Sequence, residues 1–239
     1  MNKIIFYSVF FLISQNILAQ EYILRQFPKL DTIPKTEGPN RKDYYASYYS
    51  FGYLFGSTDS SASDVLWSKS FWFAIGGRYK NKRTEFFNTG VDYQLEVQNF
   101  RIAQTNKKYF ADTLIHKKAK YVQYSMSLSY FLRFNLTKRG NHLGKYIDLF
   151  GMFTYAPFNR YAVFDKINAS SGSKLEKKVY SKLQFAENFY YRVGVRYGIS
   201  IFQIVAFYRP DNLFKRKSDF PYAELPRFGA GIMLDIGNE

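Results

Sequence analysis

Nine ionisable residues stand in runs of alternating polar and apolar character, each on the polar side: Arg78, Asp92, Glu96, Arg133, Asp148, Arg192, Arg196, Arg209 and Asp235. Two kinds of chemistry are open to such a set. Carboxylates held close together can carry protons or act as a general acid and base. Alternatively, guanidinium forks grip carboxylates bidentately, and because arginine never gives up its charge, every buried one needs an acceptor. Five arginines against four acids on one wall favour the second, a hydrogen-bonded structural plug. Hydrolytic or transfer chemistry generally asks for a nucleophile beside a base, most often histidine. The only histidines are His116, with Asp112 four residues before it, and His142, and they fall in connections at opposite ends of the expected fold. No Gly-x-Ser-x-Gly elbow, metal-ligand cluster or nucleotide fingerprint is present, and the absence of cysteine excludes disulfides and thiolate metal sites. The expectation is a protein without catalytic, cofactor or metal residues, and not an enzyme.

The elements that position these residues are strands. From Val122 to Leu136 large apolar residues alternate with small or polar ones, which gives one greasy and one wet wall. The same period places Phe71, Phe73, Ile75 and Tyr79 opposite Trp72, Ala74, Gly76 and Arg78, and sets Phe189, Tyr191, Val193, Val195 and Tyr197 against Tyr190, Arg192, Gly194 and Arg196. Eight strands are expected: Tyr44–Phe55, Trp67–Tyr79, Glu85–Arg101, Tyr121–Leu136, Tyr146–Tyr161, Leu183–Tyr197, Phe202–Phe214 and Phe228–Ile236. The connections alternate too. Long ones near Ser57–Asp64, Ala103–Lys120, Asp165–Lys178 and Lys215–Leu225 interleave with short ones at Lys80–Thr84, Lys138–Lys145 and Gly198–Ile201. Long outer loops and short periplasmic turns are the habit of outer-membrane barrels.

The fold class expected is therefore all-β, an eight-stranded antiparallel transmembrane β-barrel of the outer-membrane type. A soluble lipocalin-like barrel would show the same period with its greasy face inward. Side-chain size separates the two. The polar wall is built from Gly90, Ser125, Ser127, Ser129, Gly194, Gly229 and Gly231, which suit a crowded interior, while the apolar wall carries more bulk than eight strands can enclose. Residues 1–19 have the charged start, apolar run and terminal Ala19 of a cleaved signal peptide, 20–43 form a periplasmic N-terminal tail, and 44–239 the barrel. Aromatic content of 21 % suits interfacial girdles. The formal charge of +15 would suit nucleic acid in a cytoplasmic protein. In an exported chain its expected counterpart is instead outer-membrane lipid and lipopolysaccharide phosphate, met by Lys107–Lys120 and Lys174–Lys182.

The stretch Phe207-Tyr208-Arg209-Pro210-Asp211-Asn212-Leu213-Phe214-Lys215, then Phe220-Pro221, then Pro226 to Ile236, resembles the final hairpin of small outer-membrane barrels of Bacteroidota, the PorT-like group. Within it Gly231, Leu234 and Ile236 resemble the terminal signal read by the barrel-insertion machinery, although the chain ends Gly237-Asn238-Glu239 instead of on an aromatic. The resemblance implies a non-enzymatic role, structural or interactive, with secretion-apparatus proteins as partners and an accessory part in protein secretion or envelope assembly. Two alternatives stand beside it: a barrel enzyme acting on lipid A or surface protein, and a small-solute pore. The pore conflicts with strand number, since water-filled channels belong to barrels of roughly 16–18 strands.

Overall fold

The computed structural model describes residues 38–56, 64–106, 108, 110, 112, 114–137, 142–169, 172–181, 183–215 and 224–236. The expected signal 1–19 and most of the 20–43 segment lie outside them.

Among the described residues the regular elements are strands, apart from one turn of 3-10 helix at Trp67–Lys69. In order the strands are β1 (Asp43–Phe55), β2 (Phe71–Lys82), β3 (Phe87–Ile102), β4 (Lys118–Asn135), β5 (Lys145–Ala169), β6 (Gly172–Ser181), β7 (Phe189–Ile199), β8 (Phe202–Tyr208) and β9 (Phe228–Ile236). Eight of them close a ring: β1-β2-β3-β4-β5-β7-β8-β9, with β9 pairing back onto β1. Every pairing is antiparallel. β6 stands outside the ring, as the return arm of a hairpin that prolongs β5. Both Asp43 and Ile236 lie at the end bearing the short connections 83–86, 136–144 and 200–201, here called the near end. The long connections gather at the far end.

Period two governs the wall. Along β1 burial alternates without a break from Tyr44 to Leu54, and along β3 and β4 nearly so. The buried side faces the ring interior and the exposed side is greasy, with Tyr93 67 % and Ile204 64 % accessible. Outward positions carry no charge between Asp43 and Lys145 at the near end and Arg101, Lys120 and Arg160 at the far end.

Boundaries depart from the sequence expectation where local chemistry intervenes. β2 begins four residues later than expected because Ser70 ends the short helical turn: its hydroxyl donates to the Leu66 carbonyl at 2.9 Å and accepts the Arg101 N–H at 3.0 Å. β8 stops at Tyr208, since Pro210 has no N–H to give a ladder. Asp165–Lys178, expected as a loop, is the β5–β6 hairpin. Both faces of that hairpin carry lysine, so no greasy stripe marks it in the sequence.

Aromatic rings take the space beside several glycines: Phe131 at Gly90, Phe150 at Gly194, Tyr146 at Gly198 and Phe207 at Gly229. A Cβ on Gly231 would come 2.1 Å from the Phe51 carbonyl oxygen, and one on Gly52, its β1 partner, 2.7 Å from Trp72 Nε1. The Trp72 indole occupies the space that Gly52 leaves, while at Gly231 the β1 backbone itself lies too close for a side chain. Gly231→Val should therefore lower folded-state stability by about 1–3 kcal/mol, as overpacking does. Gly151→Ala, where nothing lies within 4 Å of the added carbon, should leave the urea midpoint unchanged.

Candidate functional site: the charged interior

Strand register alone brings several of the ionisable residues into contact. Arg78 on β2 stands opposite Asp92 on β3, and Arg133, Asp148 and Arg196 form a row across β4, β5 and β7. Arg133 grips Asp148 bidentately at 2.7 and 2.9 Å, and Arg196 Nε lies 3.5 Å from the same carboxylate. Arg78 donates to Asp92 at 2.8 Å and to Asp235 at 2.9 Å, so it ties β2 to β3 and, across β1, to β9.

The remaining bonds cross the interior. Arg192 on β7 reaches Glu96 on β3 through two bonds of 2.8 and 2.7 Å, and also donates to Ser127 and Thr154. Arg196 reaches Asp92 from β7. Glu96 is further held by the amides of Gln94 and Gln98. These eight residues are buried, and four guanidinium groups face four carboxylates. Phe131 sits at the centre of the cluster. The guanidinium carbons of Arg78, Arg133 and Arg196 lie 5.3, 5.4 and 5.1 Å from its ring centroid, within cation–π range.

Arg209 is placed elsewhere. It is buried at the far end, where it donates to Glu224 at 2.8 Å and to the carbonyls of Leu225 and Pro226 at 3.1 and 3.3 Å. Glu224 accepts the Leu213 N–H through both oxygens, which ties together the two described ends of the β8–β9 connection. Sequence reasoning missed Glu224, since a loop acid carries no periodic signal. With it the buried arginines and the buried acids that hold them stand five to five. Lys80 was missed as well, being expected in a turn. It is buried at the near end, donating to the Pro39 carbonyl beneath the Tyr44 ring.

The two mouths are apolar. At the far end Phe100, Phe110, Tyr121, Tyr161, Phe185 and Phe214 pack into one cluster; Tyr44, Ala46, Leu143 and Tyr146 close the near end. A void of about 20 Å³ bordered by Glu96, Arg192 and Arg196 has room for about one water molecule.

His116, in the β3–β4 connection, is only 10 % exposed at its side chain. Its Nδ1 lies 2.9 Å from the Asp165 carboxylate and its Nε2 3.3 Å from Asp112, which also accepts from Tyr161 and Lys108. Both ring nitrogens are thus engaged by carboxylates, and neither is turned toward a nucleophile among these contacts. The imidazole latches the β3–β4 connection to the β5–β6 hairpin. Gly231 faces the interior while Leu234 and Ile236 pair outward with β1 and β8 neighbours. Among the described residues no group of three or more His, Cys, Asp or Glu could hold a metal ion.

No family model matches the chain, and no curated protein matches it.

Truncating one member of the Arg192–Glu96 pair strands the other in a site closed at both ends. Glu96→Leu should cost about 3–5 kcal/mol, and adding Arg192→Met should return most of it, because replacing a whole buried pair by apolar groups is often neutral. Urea unfolding of the two variants checks this; equal loss in both would remove the pairing account.

Proposed function

We propose that the ring is an outer-membrane β-barrel with a cleaved signal peptide and a non-enzymatic role, structural or interactive, and that its far end faces outward and meets lipopolysaccharide phosphates. The observation that carries this reading is the uncharged outer belt. A lysine or arginine turned to lipid near the bilayer midplane costs about 2–4 kcal/mol, whereas the same residue facing water costs nothing. The eleven residues of β7, Phe189–Ile199, are separated by steps of about 3.3 Å, so from first to last at a tilt of about 40° they give a belt about 25 Å tall, the height of a lipid-facing band. Ring closure also leaves the eight ring strands without an open edge, which hydrocarbon requires. Among the described residues no helix is long and apolar enough to cross a membrane.

The interior argues against a pore. Arginine–carboxylate pairs and two aromatic lids fill the space a solute would use. The enzyme alternative would need a base with a free nitrogen, and His116 is held at both. The likeness of the last hairpin to PorT-like barrels is what supports an accessory part in secretion or envelope assembly as the form the interaction takes.

The mature chain should float with phosphatidylcholine vesicles, need an amphiphile to stay monodisperse, and give no stable open steps in planar bilayers. Monodispersity in plain buffer would sink the membrane reading, and reproducible conductance steps would sink the plug.

A further inference from the structure

Above the belt the outer face of β3 to β6 turns basic within one residue pair. Val122 on β4 stands opposite Arg160 on β5, the next outward pair is Lys120 with Ala162, and Arg101 on β3 lies beside Lys120. Lys118 pairs with Phe164, Phe164 with Lys177 on β6, and Lys166 with Leu175. Six cations therefore share one face of four neighbouring strands. The acids of those strands whose side chains are described, Asp92, Glu96, Asp148, Asp165 and Glu176, all stand at positions of the opposite face. Lysine ion pairs among the described residues are Lys82–Glu85, Lys108–Asp112 and Lys178–Glu176, none of them on this face.

Directly beneath lies a groove of about 330 Å³ walled by Phe73, Leu95, Val97, Tyr124, Met126 and Phe158. Its origin is a bulge. Pro157 has no N–H for the ladder, so the β4–β5 register passes from Tyr124↔Phe158 to Met126↔Tyr155, with an extra residue on β5. Phe158, 64 % exposed, then stands out as the rim of the groove. Groove and cations are continuous: the Arg160 guanidinium carbon lies 5.7 Å from the centroid of Tyr124.

A ligand matching both features is an amphiphile with an acyl chain low and a phosphate high. Free phosphate or an acidic peptide would satisfy the basic row and leave the groove unused. Successive outward side chains on one strand are about 6.7 Å apart, and strands about 4.8 Å. Arg101, Lys120 and Arg160 thus form a compact triangle that one phosphorylated headgroup can span. Arginine supplies bidentate phosphate geometry there and lysine a point charge. We propose that this face holds one phosphorylated glycolipid of the outer leaflet, an acyl chain in the Leu95–Phe158 groove and a phosphate on Arg101, Lys120 and Arg160. The site rests on the membrane reading above, and names the lipid contact that reading leaves general.

The test uses the full mature chain in neutral detergent, titrated with diphosphoryl lipid A and with its dephosphorylated counterpart, bound lipid being counted by native mass spectrometry. Flotation with phosphatidylcholine vesicles is run in parallel. Each interfacial cation contributes about fivefold to binding of an anionic lipid, so the triple variant R101Q/K120Q/R160Q should bind diphosphoryl lipid A roughly 100-fold more weakly than wild type. Wild type should bind the dephosphorylated lipid about as weakly as the variant binds the phosphorylated one. If wild type and variant both float and retain diphosphoryl lipid A equally, the site is wrong while the membrane reading stands. If wild type does not float, both fall.

Discussion

The pairing of every buried arginine with a carboxylate inside a closed wall is the constraint on which the rest of the molecule depends. A ring of eight strands leaves an interior just wide enough to be filled by side chains, and here the filling is ionic. Guanidinium groups keep their charge in any surroundings, so each of the four central arginines imposes a position on a carboxylate. Asp92 serves both Arg78 and Arg196, and Asp148 serves Arg133 and Arg196. Every central ion pair joins two different strands. The network is therefore also the means by which the two sides of the wall are held in register.

The apolar mouths and the ionic middle act together. With aromatic packing at one end and the Tyr44–Tyr146 cluster at the other, the middle is shielded from water, where attraction between opposite charges is several times stronger than at a surface. The same shielding makes an unmatched charge costly, which explains why Arg209 has its own acid in Glu224 instead of drawing on the central set. Aromatic rings fill the remaining volume by lying against glycine: Phe131, which contacts three guanidinium groups, stands over Gly90. Outside, the wall obeys the opposite rule. Small residues are few, bulk dominates, and the first charges appear only where the strands leave the belt.

Period two made much of this legible beforehand. The strands bearing Arg78, Asp92, Glu96, Arg133, Asp148, Arg192, Arg196 and Asp235 could be assigned a polar side because neighbouring positions swing so cleanly between Phe or Tyr and Gly or Ser. What escaped did so for definable reasons. The β5–β6 hairpin has lysine on both faces and thus no hydrophobic period. Lys80 opens a Lys-Asn-Lys-Arg run that looks like a turn, yet its even position on β2 turns it inward. Glu224 sits on an irregular connection where spacing carries no direction. The bulge had a visible cue in Pro157, which interrupts the alternation between Tyr155 and Phe158, but the groove it opens depends on β2 and β3 neighbours far away in sequence.

The placement of Asp235 couples electrostatics to the order of assembly. It lies one position before the end of β9, and its carboxylate completes the pairing of Arg78 on β2, 157 residues earlier. Until β9 docks between β8 and β1, Arg78 has only Asp92 among the acids that hold it, and the open wall carries a surplus positive charge one strand from its seam. Zipping that seam removes the surplus and the ring's two open edges in the same event. An arc lacking β9 is thus doubly penalised, which favours an all-or-none closure over a population of gaping intermediates.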